Sequence, residues 1–270
     1  MKFRLDLAYD GAGFHGWAAQ PGQRTVESTL SEAIAAALTL IERPPSHDLV
    51  VAGRTDAGVH ARAQVAQLTA EAGPADAPAL QHHVARLLPV DVALHALTPA
   101  PDGFDARFSA LGRTYCYRLW DADSRRDPTR RRTVATMQWP LDPKAMAEAA
   151  GALVGLRDFA AFCRAREGAT TVRHLRRFDV ARCPDTTIEC WLEADAFCHS
   201  MVRALVGAVV AVGAGRRDLA WLTGLTQIRT RAHDVIVLPP HGLTLEAVAY
   251  PPDGQMAARA AEAKNRRVAP

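Results

Sequence analysis

The stretch Arg54-Thr55-Asp56-Ala57-Gly58-Val59-His60-Ala61 sets one carboxylate in a glycine-containing turn, between an arginine and a histidine. The apolar run Leu49-Val50-Val51-Ala52 comes directly before it. A strand that delivers a lone aspartate into a shaped turn can present a nucleophile, and a neighbouring arginine favours its ionised form. The same residues also make good turn chemistry by themselves, because Asp bonds its own backbone and Gly accepts positive φ. Two other groups could join such chemistry. Tyr115 and Tyr117 fall on one face of an alternating segment, where core packing accounts for the pair and stacking of one ring on an RNA base also would. Arg203 lies in the segment Phe197-Cys198-His199-Ser200-Met201-Val202-Arg203. There a guanidinium needs a carboxylate partner, or else snorkels to the surface.

A second candidate is Gly11-Ala12-Gly13-Phe14-His15-Gly16, which satisfies G-x-G-x-x-G after a strand. A dinucleotide site needs a helix to start at the third glycine and receive the pyrophosphate. Here no helix begins before Thr25, and no acidic residue ends a second parallel strand some 20 residues on. These glycines read as loop formers, and no nucleotide cofactor is expected. Cys116, Cys163, Cys183, Cys190 and Cys198 show no metal-knuckle spacing, and an odd count does not suggest a disulfide framework. Buried thiols are expected, and no metal.

The elements that position these residues follow from periodicity. Lys2 to Tyr9 alternates strictly, as a half-buried strand does. From Thr25, Val26, Leu30, Ile34, Leu38 and Ile41 recur at helical spacing until Pro44-Pro45. The aspartate strand and turn come next, then a strand near Gln64 to Thr69 and a helix before Leu87-Leu88-Pro89. Arg113 to Trp120 alternates again. Asp142-Pro143 caps a helix running to about Leu153, and Thr186 to Ala194 reads as a strand. Met201 to Val212 is apolar almost all round, the mark of a buried helix. Leu243 to Tyr250 is the last strand, and the tail from Asp253 is expected to fray for want of an apolar stripe. The order suits two α+β halves meeting near residues 105–112.

The chain has 270 residues, 49% apolar and 23% charged, with a net charge of +3, as ordinary globular proteins have. No apolar run approaches the ~20 residues of a membrane span, and Asp6 and Asp10 argue against a signal peptide. A cytoplasmic protein is expected. Charge is unevenly spread: from Arg113 to Arg182, 15 Lys or Arg stand against 8 Asp or Glu. Arg125, Arg126, Arg130, Arg131, Arg132, Arg173, Arg176, Arg177 and Arg182 are among them. Such a cluster suits a phosphate-backbone binder, and equally an arginine-rich solvated surface.

Taken in order, six segments resemble the tRNA pseudouridine synthase A family, from about residue 3 to residue 252. Ala8-Tyr9-Asp10-Gly11 through Phe14-His15-Gly16-Trp17, with Gln20-Pro21 and Thr25-Val26, looks like its N-terminal signature. Gly53 to Ala61 matches its catalytic GRTDxGVHA motif without substitution. Pro89-Val90-Asp91-Val92 follows its LP-x-D-I-like pattern, although Ala85-Arg86 stands where an asparagine is frequent. Phe104-Asp105-Ala106-Arg107-Phe108-Ser109 leads into an R-x-Y-x-Y element. Phe197 to Arg203 is similar to FxxxMVR, and Gly242-Leu243-Thr244-Leu245 with Tyr250-Pro251 to the C-terminal signature.

The resemblance implies isomerisation of uridine to pseudouridine at positions 38, 39 and 40 of the tRNA anticodon stem-loop, without cofactor or metal. It implies the α+β pseudouridine synthase fold, two subdomains forming an extended, mostly antiparallel sheet with a central catalytic cleft. The division expected is 1–107 carrying the catalytic Asp, 108–252, and a flexible tail at 253–270. A homodimer binding tRNA across both subunits is implied. Asp56 would be the essential carboxylate, Arg203 its ionic partner, and Tyr115 the ring that stacks on the uracil and serves in proton transfer. Arg54 would hold the flipped nucleotide, and Leu243 or Leu245 would wall the base. His60 is expected to stabilise the turn. A reading of another class, a tRNA-binding module or RNA chaperone without chemistry, rests on the arginine-rich segment alone.

Overall fold

The structure is a computed structural model that describes residues 1–164 and 170–263. The chain is mixed α+β and divides into two compact units, Met1–Leu111 with the segment from Leu245, and Gly112–Thr244.

The first unit is built on β1 (Lys2–Tyr9), whose alternate residues Phe3, Leu5, Leu7 and Tyr9 are buried. α1 (Val26–Leu40) starts at a capping box, in which Thr25 Oγ1 accepts from Ser28 N and Ser28 Oγ accepts from Thr25 N. It buries Val26, Leu30, Ile34 and Leu38 on one stripe. β2 (His47–Val51) and the long β3 (His60–Ala70) follow, then α2 (Ala77–Leu87) and β4 (Val92–Pro99). β1 lies between β3 and β4, antiparallel to both, and β2 pairs antiparallel with β3 from Ala66 to Ala70. The aspartate turn is the connection from β2 into β3.

The second unit begins with β5 (Gly112–Trp120), beside which the short β6 (Ala135–Thr136) runs parallel. α3 (Pro143–Leu153) is capped by Asp142, which accepts from Lys144 N at 2.8 Å. β7 (Gly155–Asp158), β8 (Val172–Arg182) and β9 (Ile188–Ala194) complete an antiparallel order β5-β9-β8-β7. α4 (Met201–Gly213) buries ten of its thirteen residues. Asp218 caps α5 (Leu219–Leu225).

β10 (Leu243–Ala249) brings the chain back to the first unit, where it pairs with β3. The division therefore falls after Leu111, and residues 245–252, which the sequence placed with the second half, pack with the first. The residues after Asp253 are helical rather than frayed as far as they are described. α6 (Met256–Ala263) buries Met256 and Ala260, and its Met256 joins Ala52, Val65, Phe104 and Ala106 in one apolar cluster. Ser109 Oγ also donates to Met256 O at 3.1 Å. An alanine-rich helix needs only two anchor points to dock, too few to register as a stripe. The last residues of the expected tail, 264–270, lie outside the described ones.

Candidate active site

Asp56 occupies the first position of a β-turn closed by Val59 N donating to Asp56 O at 3.1 Å. Gly58, third in that turn, has φ 77°, the conformation that a type II turn demands and that side chains resist. The turn is held from several directions within the first unit. Gly58 N donates to Phe14 O at 3.2 Å, and Trp17 N donates to Thr55 O at 3.0 Å. At Gly16, φ 88°, an added Cβ would lie 2.9 Å from Thr55 O, so the chain approaches the turn more closely than any side chain permits. The Gly11–Gly16 stretch is thus a cradle for the aspartate turn. Gly11–Gly13 forms a short 3-10 turn and no helix follows until Val26, so the dinucleotide geometry is absent.

Beneath the turn lies a buried polar chain. Gln64 Nε2 donates to Gly53 O at 2.9 Å and to the Tyr9 oxygen at 3.1 Å, and the Tyr9 hydroxyl lies 2.8 Å from Thr55 Oγ1. Burial pushes the Tyr9 phenol up to about 12, with the Thr55 and Gln64 hydrogen bonds opposing the rise. The hydroxyl therefore stays protonated at neutral pH and shares its hydrogen bond with Thr55, which is only 6% exposed. Neither Tyr9 nor Gln64 was singled out as a site residue. The signal was there in one form: Gln64 is a polar residue on the buried side of a strand, where it must be hydrogen-bonded.

His60 is buried, and its Nδ1 lies 3.0 Å from both Gly11 N and Asp10 Oδ1. The amide proton points at Nδ1, so the ring accepts from Gly11 and braces the cradle. Asp56 is half-buried and Arg54 exposed in the same segment. Leu245 of β10, 0% exposed, also belongs to this unit.

Tyr115, Arg203 and Leu243 belong to the second unit. Tyr115, 8% exposed, meets Phe197 edge to face, ring centres 5.3 Å apart and planes at 89°. Its strand-mate Tyr117 is buried, and burial drives its phenol well above the usual range although the nearby Arg203 charge opposes this. The Tyr117 hydroxyl donates to Pro239 O at 2.7 Å, and the same 239-to-242 corner packs Gly242 against the Tyr117 ring. Arg203 is half-buried on α4, and its Nε donates to Leu238 O at 2.6 Å. That bond fixes the stem of the side chain against the segment that leads into Leu243, which is itself buried.

The arginine-rich segment is largely used inside the fold. Arg118 pairs with Glu189 at 2.9 Å, Arg182 with Asp121 at 2.7 Å and Arg176 with Glu193 at 3.5 Å. Arg130 pairs with Asp185, and Arg177 with Asp179. Much of the local charge excess is therefore structural. No disulfide joins the five cysteines; Cys116, Cys163 and Cys190 are buried, Cys183 and Cys198 half-buried. Among the described residues no cluster of three His, Cys, Asp or Glu is arranged to hold a metal ion, and no helix is long and apolar enough to cross a membrane.

A family model described as tRNA pseudouridine synthase matches residues 149–251. The chain is 50% identical to the tRNA pseudouridine synthase A of Cutibacterium acnes, over 98% of this chain and 95% of that protein. It is 51% identical to the tRNA pseudouridine synthase A of Frankia casuarinae, over 100% of this chain and 97% of that protein. Among solved structures, a Cbf5-Nop10-Gar1 complex aligns with 78% of this chain and 54% of its own, at 11% identity and a TM-score of 0.32. With about half of all residues identical to those relatives along nearly their whole length, the chain belongs to the tRNA pseudouridine synthase A family.

Proposed function

We propose that this chain isomerises uridine to pseudouridine at positions 38, 39 and 40 of the tRNA anticodon stem-loop, with Asp56 as the essential carboxylate. The observation that carries the reading is the turn. An unbroken GRTDAGVHA segment holds Asp56 half-exposed on a backbone cradled by Gly16, Phe14 and Trp17. So much buried hydrogen bonding behind one partly exposed carboxylate suits a group that must keep its aim through a reaction.

In this reaction the bond from ribose C1′ to uracil N1 breaks, the ring rotates, and C1′ joins C5, whose hydrogen leaves as a proton while N1 regains one. Asp56 either attacks C1′ covalently or takes a ribose proton to give a glycal; both routes need it ionised. Arg203 supplies a cation that favours the ionised carboxylate. Tyr115 stacks on the uracil and serves the proton transfers. Arg54 grips a phosphate of the flipped nucleotide. Leu243 or Leu245 forms an apolar wall beneath the base. The protein works in the cytoplasm as a homodimer that binds tRNA across both subunits.

The test is tritium release from an unmodified tRNA transcript carrying 5-tritiated uridine in the stem-loop. Wild type should release tritium and Asp56→Ala should not. No release from wild type, or equal release from both, would overturn the proposal.

A further inference from the structure

Two groups of arginines in the second unit contrast with each other. Arg118, Arg130, Arg176, Arg177 and Arg182 each face a carboxylate within the fold. Arg125, Arg126 and Arg131 differ: they are exposed on the loop between β5 and β6, and among the described residues none forms a salt bridge. That loop is held at several points. Asp127 Oδ1 accepts from Thr129 N at 2.9 Å and from Thr129 Oγ1 at 2.7 Å, capping a 3-10 turn at Pro128–Arg130. Arg125 N donates to Thr186 Oγ1 at 2.7 Å, and Ser124 Oγ donates to Asp121 Oδ1 at 2.7 Å. Arg130 ties the far side to Asp185.

Two acidic groups share the loop. Asp127 is occupied by the cap, with Arg125 and Arg130 nearby, and Asp123 is exposed in the field of Arg182. Neither is bonded to the three exposed guanidinium groups. A preordered loop loses little entropy on binding, and guanidinium forks match phosphate oxygens in geometry as well as charge.

We infer that Arg125, Arg126 and Arg131 form a docking site for the phosphate backbone of the tRNA substrate, adding affinity without entering the chemistry. The inference rests on the reading that tRNA is the substrate. The variant Arg125→Gln/Arg126→Gln/Arg131→Gln should bind an unmodified tRNA transcript more weakly at low salt. Its plot of log affinity against log salt should be shallower by about 2 to 3, roughly one per lost contact. KM should rise while kcat at saturating tRNA stays at the wild-type value. The triple Arg→Lys variant, which keeps the charge, should retain most of the slope. An affinity and slope equal to wild type would overturn the inference, and so would a loss of kcat at saturation. If the triple variant melts at a lower temperature, Arg126→Gln alone decides, with a slope change of about one expected. Wild-type protein that binds tRNA yet releases no tritium would count against the proposed reaction, while the slope comparison would still decide this site.

Discussion

The Tyr9 hydroxyl and Thr55 Oγ1 share a hydrogen bond of 2.8 Å, one residue before the carboxylate of Asp56. The first strand of the chain thereby braces the turn that carries Asp56, and Gln64 braces Tyr9 in turn. This chain of buried donors ties together residues 46 and 55 positions apart in sequence.

Tyr9→Phe keeps the ring and removes the hydroxyl. Thr55 Oγ1 loses its hydrogen-bond partner and Gln64 Nε2 loses one acceptor in a buried setting, which costs about 1–3 kcal/mol. Urea unfolding should show that loss. Tritium-release kinetics should show a lowered kcat with KM little changed, because the turn loses aim while the RNA-contacting surface is untouched. Unchanged kcat would mean that the turn needs no brace.

Asp56→Asn is close to isosteric at a half-buried position and should fold and bind tRNA as wild type does. Turnover should vanish. A filter-binding isotherm beside the tritium assay separates the two properties, and residual turnover near wild type would remove Asp56 from the chemistry.

Gly58→Ala forces a side chain into the left-handed conformation at φ 77°, at a cost of about 1–2 kcal/mol. The melting temperature should fall. The mutated residue sits two places after Asp56, so kcat should fall with it. The equivalent change at Gly22, also at positive φ but with open space around it, should cost stability without touching kcat.

Asp121 provides a pH test away from the turn. It is 0% exposed and accepts from Arg182 at 2.7 and 3.0 Å, Ser124 Oγ at 2.7 Å and Leu141 N at 3.0 Å. Burial alone would raise its pKa, but the bonds from Arg182, Ser124 and Leu141 outweigh that and hold the carboxyl well below its usual value. A depressed folded-state pKa stabilises the fold fully above the unfolded value of about 3.9, and that stabilisation drains away as pH falls below it. Asp121→Asn should therefore cost about 2 kcal/mol at pH 6, less than a fully buried pair because Arg182 is partly exposed. In urea titrations the gap from wild type should narrow steadily between pH 4 and pH 2. A constant gap would contradict the assignment.

Several elements were readable from periodicity because their burial is one-sided. β1 alternates cleanly, and α1 repeats Val26, Leu30, Ile34 and Leu38 between a cap and a proline pair. β8 was not readable. Its buried residues Val172, Leu175 and Phe178 recur every third position, and the register against β9 shifts between Leu175 and Arg177, inside the second of those steps. A bulge of that kind erases the two-residue period. β4 has a similar irregularity opposite Asp6 and Leu7. At the site, Asp56 and its turn residues are contiguous and so announce themselves. The Tyr9–Thr55–Gln64 chain does not, since only the pairing of β1 with β3 brings its members together. The arginine segment is hard to read for the same reason: the carboxylate partners of several of its members come from neighbouring strands and turns that charge counting cannot pair.

The return of β10 and α6 to the first unit also orders events during synthesis. In sequence, the second unit, Gly112–Thr244, comes between the two segments of the first. A ribosome finishes it before it makes Met256, the residue that completes the cluster around Ala52 and Val65. The cluster that contains Ala52, four residues before Asp56, therefore stays incomplete until α6 has been made. A chain cut short before α6 would keep every residue assigned to the reaction and still lack the last member of that cluster.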